Sequence, residues 1–97
     1  MLIRIVKMKV REEAIADFYA LFAKGGARVE ASNGCSHVQL MQGADGYFFS
    51  YSVWEDENKL NEYRNSAFFK ATWPKLKAMF SEKAEAWSTS AVSINYN

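Results

Sequence analysis

The stretch Tyr47-Phe48-Phe49-Ser50-Tyr51-Ser52-Val53-Trp54 constrains this chain more than any other, because as a strand it offers no polar face. Gly43, Asp45 and Gly46 precede it and Glu55-Asp56-Glu57 follows it, the pattern of a strand that begins at a tight turn. Side chains alternate along a strand. One face then carries Tyr47, Phe49, Tyr51 and Val53, and the other Phe48, Ser50, Ser52 and Trp54. Both hold large apolar groups, and a chain this short has few helices with which to cover two faces. A second copy of the same chain is the expected cover for one of them.

The 97 residues make one domain, spanning 1–97, with room for a single core. Hydrophobic residues at 49% and charged residues at 24% give the composition of a soluble globular protein. A net charge of +1, with Lys and Arg scattered, supplies no basic excess and argues against a nucleic-acid partner. Cys35 is the one cysteine, so neither an intrachain disulfide nor a cysteine-based zinc site is expected, and a reducing cytoplasm suits the composition. The opening Met-Leu-Ile-Arg lacks the features of a signal peptide, and no segment approaches the length that crosses a bilayer. The expectation is a cytoplasmic protein without a membrane partner.

Leu2 to Val10 alternates weakly and reads as the first strand. Arg11-Glu12-Glu13 opens a helix, its acidic residues placed against the positive helix end. Ile15, Phe18, Tyr19, Phe22 and Val29 follow at helical spacing, with a bend or restart expected at Gly25-Gly26. Cys35 to Gln42 and the strand from Tyr47 form an antiparallel hairpin. Asp56-Glu57 starts the second helical region, and Ser66 caps a further segment in which Pro74 predicts a kink or restart after Trp73. Glu85 to Ile94 is the last strand, with Asn95-Tyr96-Asn97 as a tail. The order βαββαβ predicts an α+β, ferredoxin-like fold: an antiparallel sheet with its helices on one face. The other face would be exposed and aromatic whichever set of the central strand it carries, which predicts a two-fold homodimer with the sheets face to face.

Three segments carry a family resemblance: Asn33-Gly34-Cys35 before the second strand, Val53-Trp54-Glu55 at the end of the third, and Leu60-x-x-Tyr63-Arg64-x-Ser66-x-x-Phe69 in the helical region. Together they resemble the antibiotic biosynthesis monooxygenase family, small proteins that form dimeric α+β barrels. The resemblance runs from the first strand to Glu85-Ala86-Trp87. It implies a substrate cavity between sheet and helices. For the cofactor-free members it implies oxidation of phenols in which the deprotonated substrate itself supplies electrons to dioxygen, so no cofactor is expected. Haem-degrading members are similar around Tyr63-x-x-Ser66-x-x-Phe69-x-x-x-Trp73, but place a tryptophan where Tyr63 stands, the iron-ligating histidine where Trp73 stands, and an asparagine on the first strand, where Val6 is the nearest match. An indole N–H only donates and cannot ligate iron, so the resemblance argues against haem degradation here.

Each candidate site residue has a structural reading beside its functional one. His37, the one histidine, is a candidate general base if its face points under the helices, and otherwise a hydrogen-bonded core or interface residue. Tyr63, Phe69 and Trp73 share a helical spacing that serves core packing; the resemblance adds a cavity in which Tyr63 assists deprotonation and Trp73 and Phe69 position an aromatic ring. Ser50 and Ser52, between Phe48 and Trp54, either floor a pocket or make room for a bulky side chain such as Phe22 or Trp73. Arg4 either holds an anionic substrate or phenolate, pairs with Glu55 or Glu62, or is simply exposed at an edge. Trp54 and Trp87 read as anchors of the sheet and Cys35 as a small buried hydrophobe. No metal-ligand cluster, phosphate loop or nucleophile motif is present in the sequence. The leading expectation is a cofactor-independent oxidation of a small aromatic or quinol-type molecule. The rival is a non-catalytic dimeric small-molecule-binding or stress-related protein of the same fold.

Overall fold

A computed structural model describes residues 1–90 and 92. Four strands, β1 (Leu2–Lys9), β2 (Cys35–Gln42), β3 (Tyr47–Trp54) and β4 (Glu85–Ser90), form one antiparallel sheet in the order β2-β3-β1-β4. Three α-helices, α1 (Ile15–Glu30), α2 (Glu57–Arg64) and α3 (Ala67–Lys77), complete the ferredoxin-like α+β architecture. The part of the expected last strand beyond Ser90, and the expected tail, lie outside the described residues apart from Val92.

The strands follow the alternation of the sequence, and the turns follow their residue types. Asp45 (φ 57°) and Gly46 (φ 79°) turn the chain between β2 and β3 in the left-handed region. A Cβ on Gly46 would lie 2.8 Å from the Val10 carbonyl oxygen, which itself accepts no room for one, so this position is closed to other residues by backbone as well as by φ. Val10, expected as the end of the first strand, instead makes an isolated bridge to Phe80.

The helices depart from expectation at two points. The Arg11-Glu12-Glu13 opening is a short 3-10 turn, Glu12–Ala14, before α1 begins at Ile15. Neither Gly25-Gly26 nor Pro74 interrupts its helix. At Gly25 the ring of Phe68 packs over the helix, 3.4 Å from where a Cβ would stand, an ordinary contact distance. Pro74 removes the amide that would bond to the Lys70 carbonyl, but both residues are exposed and water can meet that carbonyl. Asp56 and Ser66 cap α2 and α3 by accepting from the amides of Lys59 and Phe69.

Register decides the two faces of the sheet. Phe48, Ser50, Ser52 and Trp54 stand over Met8, Val6, Arg4 and Leu2 in the ladder. The core of Met8, Val10, Ala14, Phe18 and Phe48 lies on this side, packed by Phe22, Trp73 and Leu76 from the helices and by Phe80 just after α3. Phe18 and Phe48 are fully buried with ring centroids 4.9 Å apart. The outer face carries Tyr47, Phe49, Tyr51 and Val53, beside Ile3 and Ile5 of β1 and Trp87 of β4. Trp87 is 46% exposed and Met41 39% exposed. The ammonium groups of Lys7 and Lys9 sit 5.0 and 5.1 Å from the Tyr47 ring centroid on the same face.

Candidate functional site

Between helices and sheet lies a cavity of about 190 Å³. Its floor is Arg4, Val6 and Met8 of β1, Val38 of β2, Ser50, Ser52 and Trp54 of β3, and Ala84 and Ala86 at β4. Its roof is Phe22 and Val29 of α1, Leu60, Tyr63 and Arg64 of α2, and Phe69, Trp73 and Leu76 of α3. An apolar cavity of about 150 Å³ holds a benzene ring, so this space suits one substituted ring or a small fused pair. The small residues explain why it exists: Ser50, Ser52, Ala84 and Ala86 stand where larger side chains would fill the layer. Phe22 and Trp73 do reach this region, as one sequence reading had it, and space remains beside them.

Aromatic contacts fix the walls. Tyr63 stacks on Trp54 (5.2 Å between centroids, 30° between planes) and meets Phe69 edge-on at 5.2 Å. Phe69 stacks on Trp73 at 5.9 Å and 10°, and Trp73 meets Phe80 edge-on. Each ring is therefore held by its neighbours, which is what orienting a flat ligand requires. Trp54 is 1% exposed and its indole N–H donates to Ser52 Oγ at 2.9 Å. Among the described residues, neither the Tyr63 hydroxyl nor the Trp73 indole N–H enters a side-chain hydrogen bond, and neither is sealed in as an unsatisfied buried group. Both remain open to a ligand or to water. Burial, and then the nearby Cys35, push the Tyr63 hydroxyl up to about 12. It is a neutral donor at physiological pH, not a base.

Six of the seven expected site residues meet at this cavity: Arg4, Ser50, Ser52, Tyr63, Phe69 and Trp73. His37 does not. The β2–β3 ladder slips at Ser36, pairing Cys35 with Trp54 but His37 with Val53. A ladder without that bulge would pair His37 with Ser52 and turn it toward the helices; one inserted residue reverses the face. His37 is instead exposed on the outer face, its Nε2 3.2 Å from Gln39 Oε1 and its ring edge-on to Tyr51. The sheet separates it from the cavity, so the general-base role has no ligand in this subunit to act on. Arg4 pairs with neither Glu55 nor Glu62; its Nη1 donates to Ser88 Oγ at 2.9 Å, and Glu62 pairs with Lys59. Burial, more than a slight lift from Glu30, raises the Cys35 thiol above its usual range, although its bond to the His37 carbonyl works the other way.

The site also contains residues to which sequence reasoning gave no role, chiefly Arg64, Leu60, Val38 and the alanines of β4. Arg64 adjoins Tyr63 in the resembling segment, which is the one signal that pointed to it. No group of three or more His, Cys, Asp or Glu that could hold a metal ion is gathered among the described residues, and no helix is long and apolar enough to cross a membrane.

Fold and cavity together define a ferredoxin-like domain with an aromatic-walled pocket between helices and sheet. The chain belongs to the antibiotic biosynthesis monooxygenase family, whose model matches residues 1–75. Solved structures share the fold over nearly the whole chain. A conserved protein from Methanosarcina mazei Go1 has 23% identity and a TM-score of 0.85, with 92% of this chain and 91% of that one covered. Rv0793 from Mycobacterium tuberculosis has 16% identity and a TM-score of 0.87, with 96% of each chain covered. A mutant of SnoaB, a cofactor-independent oxygenase from Streptomyces nogalater, has 18% identity and a TM-score of 0.86, with 99% and 97% covered. At these identities the likeness establishes the fold. No curated protein matches the chain.

Proposed function

We propose that this protein is a homodimeric, cofactor-independent monooxygenase that oxidises a small aromatic phenol or quinol in the helix–sheet cavity. The observation that carries the reading is the aromatic-walled cavity of about 190 Å³ with the free Tyr63 hydroxyl and Trp73 N–H on its lining. Membership of the family and the fold shared with a cofactor-independent oxygenase support it. The phenolic substrate loses its O–H proton, and the phenolate gives electrons to dioxygen. A ring carbon bonds to oxygen as a hydroperoxide, and loss of water leaves a quinone. One dioxygen and one phenol thus become one quinone and one water.

The residues act by positioning. Phe69 and Trp73 hold the ring, and Tyr63, protonated, donates to the phenolate oxygen and stabilises it as it forms. The cavity lining contains no carboxylate and no histidine among the described residues, so the proton leaves to water. The rate then rises with pH along a single limb set by the ionisation of the substrate. The test is oxygen uptake with a panel of monocyclic and bicyclic hydroquinones, on wild type and Tyr63→Phe. No uptake above the uncatalysed rate rejects the oxygenase. Binding without uptake supports the rival, a non-catalytic binding protein, which the absence of a base on the lining also favours.

The dimer uses the outer face. Ile3, Ile5, Tyr51 and Val53 with the half-exposed Trp87 make an apolar surface that a two-fold copy would cover. Sedimentation should give twice the 11.1 kDa chain mass, and Ile5→Glu, which puts a charge between Tyr51 and Trp87, should give monomer. A monomeric wild type at micromolar concentration rejects this assembly.

A further inference from the structure

The cavity carries positive charge that no acidic side chain among the described residues balances. Arg4 rises from β1 with Ser52 opposite it on one side and Ser88 on the other, and donates to Ser88. Arg64 ends α2 and lines the same space. The ion pairs among the described residues are Arg11–Glu13 and Lys59–Glu62, so neither cavity arginine has an acidic partner, and no Asp or Glu lines the cavity. A basic residue in the last turn of α2 complements the helix dipole, which accounts for Arg64 without a ligand. It does not account for Arg4, a charge in the interior of a strand, partly buried on the helix side of a sheet and facing a second cation. Burial first, and the Arg64 charge second, lower the Arg4 pKa, yet a guanidinium stays charged at neutral pH. Beyond Arg4 the floor turns apolar through Val6 and Met8, under the rings of Phe69 and Trp73.

We infer that the cavity takes an aromatic carboxylic acid, its ring against Phe69 and Trp73 and its carboxylate between the guanidinium groups of Arg4 and Arg64. The inference rests on reading the cavity as a ligand site and narrows the substrate class of that site. A guanidinium fork matches a carboxylate in two parallel hydrogen bonds. The carboxylate also removes the repulsion between the two arginines. A phenol that carries such a group on a short arm would keep its reacting oxygen near Tyr63.

The test is titration calorimetry on the full chain with cinnamate and its neutral isostere cinnamamide. Cinnamate should bind at least about tenfold more tightly than the amide, since each binding preference of this size follows from one charge-assisted hydrogen bond. In Arg64→Gln, an exposed position whose change leaves the fold intact, the acid-to-amide ratio should fall below about threefold, and it should fall likewise in Arg4→Gln. An amide bound as tightly as the acid in wild type overturns the inference, as does an acid preference that survives in both variants, or the absence of binding by either compound. The outcome is separable from the oxygenase reading. An arginine-dependent acid preference without oxygen uptake on any substrate retains this inference and rejects that reading; quinol turnover without acid preference does the reverse.

Discussion

The two ends of the helix–sheet layer are built from the same elements and do opposite things. At one end Phe18, Phe48, Met8 and Val10 close the space completely. At the other, Ser50, Ser52, Ala84 and Ala86 leave it hollow, with Trp54, Tyr63, Phe69 and Trp73 standing around the gap. Along β3 the change takes one step on the helix-facing side, from Phe48 to Ser50. A packed core is filled to the density of an organic crystal, so a hollow next to it is held open by its surroundings. Here rings that brace one another do so, starting from Trp54 on the sheet.

The largest effect should come from the filled end. Phe18→Ala removes a fully buried ring against Phe48 and should cost about 3–5 kcal/mol in urea unfolding, a large part of the stability of a domain this size. At the hollow end, Tyr63→Phe keeps the stacking on Trp54 and should cost less than about 0.5 kcal/mol in the same measurement. Under the oxygenase proposal it should nevertheless lower turnover by roughly 10²-fold, or about 2.7 kcal/mol, through loss of one donor. Ser50→Leu sharpens the contrast further. It adds apolar volume to empty space, so stability should change by no more than about 1 kcal/mol in either direction, while binding of a single-ring ligand is lost. A large destabilisation by Ser50→Leu would show that the hollow is already full.

A further effect is one of pH. Folding raises the Tyr63 pKa from 10.0 to about 12, so the folded state holds that proton more strongly than the unfolded chain does. Between those values the native state binds more protons, and stability falls as pH rises. Wild type should therefore lose stability relative to Tyr63→Phe from about pH 10 to about pH 12, with the difference between the two constant from pH 6 to 9. Chemical denaturation of both proteins across that range measures it. Parallel stability curves for the two proteins between pH 10 and pH 12 would mean that burial does not protect the hydroxyl.

Sequence alone determined the elements and the fold. Aromatic β3 and the hairpin before it, the caps at Asp56 and Ser66, and the βαββαβ order are local patterns, set by side-chain alternation, turn chemistry and capping hydrogen bonds that involve neighbours within a few residues. The aromatic cavity residues were legible because they share a helical spacing and a resemblance. Tertiary structure decided what each face and each charge does. The bulge at Ser36 sends His37 to the outside, and whether a ladder slips depends on how β2 packs on β3. Gly25-Gly26 and Pro74 leave their helices whole, with Phe68 packed at Gly25 and Lys70 exposed where Pro74 removes a hydrogen bond. Arg4 and Arg64 lie sixty positions apart in the chain and come to line one cavity only when α2 folds over the sheet. Local periodicity fixes which way a side chain leans on its own element; which other side chain it faces is set by packing between elements, and no spacing along the chain records it.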